Sequence, residues 1–212
     1  MMKASRAVLL RPSVATFEEF EQDDLRSATL YVLMGEVIRA VLGALNSVAH
    51  QFFMDEQTRQ FQERYGNNGF FTIASGSHPL VAMGSNLVAT MGLFFLYLGL
   101  LYLLGRSFGG TGTFGQLCYD ISLYWVPIAV VGALLGVISF GPLRFISAVA
   151  LLLLVLYNFY LIYLSIRAGM KLPSDKAILI VAILFVLGLV LSYAAVVFQM
   201  SSLGVFTFPP KR

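Results

Sequence analysis

The sequence predicts an all-α fold: a polytopic helical membrane bundle of five transmembrane helices, or four if the first lies in the interface. Two compositional observations carry this expectation. Hydrophobic residues make up 58% of the chain and charged residues 12%, against about 45–50% and about 25% in soluble domains. Mean hydropathy is +0.80. A third observation is positional: runs of about 20 apolar residues, the length that crosses a hydrocarbon core, recur along the chain. They take up most of the 212 residues, leaving no room for a separate soluble catalytic domain.

Residues 1–26 read as a short cytoplasmic N-terminal segment. An apolar run from Ala7 to Leu10 gives way to the acidic tract Glu18, Glu19, Glu21, Asp23 and Asp24, unlike the long apolar core of a signal peptide. The first span is expected at about 27–52 although it contains Glu36, Arg39, Asn46 and His50. Glu36 and Arg39 share a helical face and can neutralise each other inside a bundle; a helix lying flat in the interface is the alternative. Further spans are expected at about 80–104, 117–138, 143–166 and 177–200, with an extramembrane loop at 53–79 and a C-terminal tail at 201–212. Within that loop a short helix should run to Arg64, followed by a turn at Gly66–Gly69 and an extended FFTIASG.

Cations set the expected orientation. With the N-terminus inside, cytoplasmic segments carry Lys3, Arg6, Arg11, Arg26, Arg106, Arg167, Lys171 and Lys176, and outer segments carry Arg59, Arg64, Arg144, Lys211 and Arg212. This bias favours a cytoplasmic N-terminus and an outside C-terminus. The overall basicity follows from it, and nucleic acid is not an expected partner.

GGTGTFG at 109–115 contains a literal G-x-G-x-x-G in Gly110, Gly112 and Gly115. A dinucleotide site needs a strand before those glycines and an acidic residue about 20 positions later; here a membrane helix precedes them and AVVGALLGVI follows. Thr113-Phe114-Gly115-Gln116 instead has the form of a capping box, with Gly109, Gly110 and Gly112 free to take positive φ in a tight reversal. A second reading makes Gly109, Gly110, Gly112, Thr113, Phe114 and Gln116 a contact loop for a partner or lipid headgroup.

Other polar positions have local explanations. Asp120 lies one turn into the third span, close to the cytoplasmic boundary, and can be wetted there or pair with Arg106 or Lys176. Pro127, followed by Gly132-x-x-x-Gly136, predicts a kink with close helix packing. Asn158 is expected to make an interhelical hydrogen bond. His50 and His78 are 28 positions apart and suit interface anchoring; joint metal, haem or chlorin ligation is the alternative. Cys118 is the single cysteine, which removes intrachain disulfides and Cys-rich metal frameworks. Hydrolase, zinc-protease and paired intramembrane Asp signatures do not occur, so no enzyme and no cofactor is expected, while bound lipid is.

Taken in order, the features resemble the YIP (Ypt/Rab-interacting protein) family of five-span membrane proteins, especially its short prokaryotic type. The resemblance is carried by Gly109, Gly110, Gly112 and Phe114 after the second span, Pro127 in the third, a tyrosine-rich fourth span with Tyr157, Tyr160 and Tyr163, and Lys176-Ala177 opening the fifth. It implies five spans and a cytoplasmic N-terminus. Eukaryotic relatives look like adaptors in early secretory traffic; their Asp-Leu-aromatic-Gly-Pro motif is reduced here to Asp24-Leu25. The function expected is a non-enzymatic scaffold or accessory subunit in a prokaryotic inner membrane, binding other integral membrane proteins or organising lipids. Alternatives are a small-solute transporter or channel with a polar path at Glu36, Arg39, Asp120 and Asn158, and a pigment- or haem-associated subunit.

Overall fold

The computed structural model describes residues 1–53, 79–139 and 143–202. The expectations for the 54–78 loop, His78, residues 140–142 and the tail beyond 202, together with the side chain of His50, lie outside the described residues. Seven α-helices occupy the rest: α1 Met2–Leu10, α2 Val14–Phe20, α3 Leu25–Phe53, α4 Pro79–Ser107, α5 Phe114–Val137, α6 Leu143–Gly169 and α7 Ser174–Ser202. The fold is all-helical, and this is an integral membrane protein with five spans: Leu25–Asn46, Leu87–Ser107, Phe114–Val137, Phe145–Gly169 and Ser174–Ala194.

Contacts divide the chain into two units, residues 1–53 with 87–181 and residues 54–86 with 182–212. In the first unit α3 runs parallel to α5: Gly35 sits against Val126, and further along Gly136 faces Asn46. Parallel neighbours follow from the intervening α4, which returns the chain. Antiparallel α6 also packs on α5, where Leu154 faces Gly132 and Gly169 faces Leu117. Gly132 thus faces a side chain of α6 and Gly136 one of α3, each at a distance that would leave room for a methyl group, so the close packing expected at this pair is not what these glycines serve.

Burial in this unit concentrates where α5 begins and α6 ends. Leu117, Ile121 and Tyr124 pack there with Leu98, Leu101, Leu161, Ile166 and Ile180, all fully or almost fully buried. Toward the start of α6, Phe145, Ile146, Leu152, Leu153 and Leu156 are exposed. A bilayer solvates such side chains, so they need no protein cover.

The two N-terminal helices pack against the spans. Ser13 caps α2 by accepting from the Thr16 N–H at 3.1 Å, and Phe17 is fully buried, edge-on to Tyr124 with centroids 6.3 Å apart. On α1, Ser5 shares a 2.9 Å hydrogen bond with the Tyr31 hydroxyl, and the Tyr157 hydroxyl donates to the Leu9 carbonyl at 2.7 Å. Tyr157 precedes the end of α6 at Gly169 by twelve residues, about 18 Å at 1.5 Å per residue. The C-terminal end of α1 is therefore tied to the middle of a span. α1 buries Ala4, Ser5 and Val8 and exposes Lys3 and Arg6, with Arg11 exposed at its C-cap. A cation facing hydrocarbon at a span centre costs about 2.5–3.5 kcal/mol, so charges on α1 require polar company.

Candidate functional site

Three connections meet at the packed end of the first unit: residues 21–24 before α3, 108–113 between α4 and α5, and 170–173 between α6 and α7. Each is shaped by a helix terminus. α4 stops in a Schellman arrangement, with Gly110 N–H bonding Gly105 O at 2.8 Å, Gly109 N–H bonding Arg106 O at 3.0 Å, and Gly109 at φ +89°. α6 stops in a related turn, with Lys171 N–H bonding Ala168 O at 3.1 Å, but here the left-handed residue is Lys171 at φ +53°. α5 opens with the capping box read from the sequence: Gln116 N–H donates to Thr113 Oγ1 at 3.1 Å, and Thr113 N–H donates to Gln116 Oε1 at 2.9 Å. Asp24 caps α3, accepting from the Arg26 and Ser27 N–H groups at 3.1 Å each.

These ends are locked together through backbone. Thr111 N–H bonds Met170 O at 3.1 Å. A methyl group at Gly112 would overlap the Gly169 carbonyl, and one at Gly115 would overlap the Asp23 carboxylate. Lys176 Nζ donates to Phe108 O at 2.9 Å, and Arg106 donates to Gly110 O at 3.2 Å. Both cations therefore satisfy carbonyls at and just beyond the C-terminus of α4, where the helix dipole favours positive charge.

That arrangement corrects the pairing expected for Asp120. Arg106 and Lys176 are engaged by carbonyls, and Asp120, fully buried beside Gly169, has no hydrogen-bond partner among the described residues for either carboxylate oxygen. Glu21 lies within electrostatic reach of Asp120, Lys171, Glu18 and Asp23. Burial pushes the Glu21 carboxyl above its ordinary value despite the opposing pull of Lys171. The hydrogen bonds from Ser27 hold Asp24 below its ordinary value.

Elsewhere the polar residues are separate. Arg39 donates to Glu36 at 2.6 Å and to Thr90 Oγ1 at 2.8 Å, tying α3 to α4. Asn158 Oδ1 is buried with no partner among the described residues; the hydrogen bond expected of it is made by its neighbour Tyr157. Pro127 lies inside α5 and lines a cavity beside α1. The two described cavities are lined by none of Glu36, Arg39, Asp120 or Asn158, and among the described residues no group of three or more His, Cys, Asp or Glu could hold a metal.

A Yip1-domain family profile matches residues 6–195, a range that begins inside α1 and ends inside α7. The chain belongs to the Yip1 family. No match was found among curated proteins or among solved structures. Yip1-domain proteins are non-enzymatic membrane proteins, and this one is therefore not an enzyme.

In this Yip1-domain protein the glycine loop has two kinds of glycine. Only Gly109 among the described glycines uses positive φ; Gly110 and Gly112 are buried and are required for space, against Met170 and Gly169. Phe114 stacks edge-on with Tyr102 at 5.6 Å, and Gln116 closes the capping box, so Gly109, Thr111 and Thr113 form the loop's exposed rim. Sequence reasoning missed Asp24 and Ser13 as caps, although Asp-Leu-Arg-Ser and Ser-Val-Ala-Thr before apolar runs carry that signal. It also missed Lys171, whose αL position has no residue-type signature.

Proposed function

We propose that this Yip1-domain protein is a scaffold or accessory subunit that docks other integral membrane proteins on the rim formed by Thr111, Thr113, Lys171 and Pro173. One observation carries the reading: the connections bearing these exposed residues are fixed by backbone contacts between Thr111 and Met170 and between Gly112 and Gly169. Exposed groups held this way present one arrangement to a partner, and little ordering entropy is lost on binding. The rim faces the cytoplasm of a prokaryotic inner membrane, supported by the gathering of Arg26, Arg106, Lys171 and Lys176 at this end.

The test compares the intact protein with Thr111→Arg and Lys171→Glu after isolation from native membranes in mild detergent. A membrane protein co-isolating with the wild type should fall by about tenfold with either variant, the size of one lost contact of about 1.4 kcal/mol, while Thr111→Arg keeps the wild-type unfolding temperature and Lys171→Glu, which reverses a charge near Glu21, stays folded at the temperature of the isolation. Undiminished recovery with both folded variants, or recovery of the wild type alone, refutes the proposal.

A further inference from the structure

The cavity between α1, α3 and α5 has no part in the docking rim. It holds about 410 Å³, within the range of about 300–1,000 Å³ that takes small ligands. Its apolar wall comes from Met2, Leu9 and Leu10 of α1 and from Pro127 of α5. Ser5 and Tyr31 also line it but bond to each other at 2.9 Å, leaving Arg6 as its one cation. Among the described residues no hydrogen bond or ion pair engages Arg6, and α1, with the sequence MKASRAVLL, has no acidic residue to neutralise it.

We propose that this cavity binds one anionic phospholipid, its phosphate against Arg6 and an acyl chain along Met2, Leu9, Leu10 and Pro127. Three features select that occupant. The cavity is apolar along its length and cationic at one point, the complement of an amphiphile with an acidic head. A guanidinium matches phosphate oxygens in a bidentate geometry. Pro127 is thirteen residues inside α5, about 20 Å along a span, a depth that suits the acyl chain, while Arg6 is exposed and its long side chain can carry the guanidinium toward the head.

The experiment uses the full-length protein in detergent, titrated with phosphatidylglycerol or with phosphatidylcholine of the same chains, and counts bound lipid by native mass spectrometry. One phosphatidylglycerol should be retained with about tenfold preference over phosphatidylcholine, as one charge-assisted contact supplies. Arg6→Gln should abolish that preference, whereas Lys3→Gln within α1 and Arg11→Gln at its C-cap, which remove the same charge, should keep it. Equal loss in all three variants would reveal diffuse surface electrostatics and overturn the proposal. So would equal retention of the two lipids, or displacement of the lipid by glycerol phosphate at millimolar concentration, which marks a site for a free anion. Leu9→Gln, on the cavity wall, should weaken lipid retention without changing the charge; unchanged retention counts equally against the proposal.

Discussion

At Gly112 the space for a side chain is already occupied by backbone. A Cβ there would overlap the Gly169 carbonyl oxygen and come within 3.0 Å of Met170 Cα, and neither neighbour can rotate away. Gly112→Ala should therefore destabilise the protein by at least the about 1–3 kcal/mol typical of overpacking, read as a lowered thermal midpoint in detergent. Gly43 supplies the contrast, since a Cβ on it meets nothing within 4 Å; Gly43→Ala should stabilise α3 by about 0.5–1 kcal/mol through helix propensity alone. The glycine cluster was visible in the sequence and so was the turn it makes. That Gly112 serves proximity and only Gly109 serves φ was not visible, because the partner carbonyl is on Gly169 at the far end of α6.

Among the elements, α3 shows how a charged helix is admitted to a bundle. Glu36 is 3% exposed and Arg39 39% exposed, so the carboxylate is the partner that depends on the pair. Breaking a buried pair from one side costs about 3–5 kcal/mol, while replacing both charges is often close to neutral. Arg39→Leu should accordingly be much more destabilising than the double variant Glu36→Leu with Arg39→Leu, a comparison made by thermal unfolding in one detergent. The i, i+3 spacing made this pair legible, as the Thr113–Gln116 spacing made the cap of α5 legible, because both are local in sequence. Thr90 as the third member, Tyr157 as the residue that binds Leu9, and Asn158 Oδ1, without a partner among the described residues, depend on how α3, α1 and α6 rotate against their neighbours. The nearly uniform apolarity of α6 gives no face to read.

For the molecule as a whole, stability is linked to pH through the docking of residues 14–24. Burial raises the folded-state pKa of Glu21 above the ordinary 4.5, so the folded protein holds this proton more tightly than the unfolded chain. The stability so gained is fully present below the unfolded value and is lost as pH rises through the folded one. Glu21→Gln keeps the uncharged state throughout. Its thermal midpoint should match the wild type near about pH 4 and exceed it increasingly toward about pH 7; a difference independent of pH would refute this. Five spans and the Yip1-domain resemblance could be read from composition and motif order. The seating of α1 and α2 could not, because helices of 9 and 7 residues are too short for periodicity to reveal a buried face.

That seating has a temporal consequence. Leu9 and the hydroxyl that binds its carbonyl are 148 residues apart in the chain. At about 5–20 residues per second of synthesis, roughly 7–30 s separate the emergence of α1 from that of its partner. α1 thus leaves the ribosome well before the residue that holds it, and it is seated against α6 only after Tyr157 has been made.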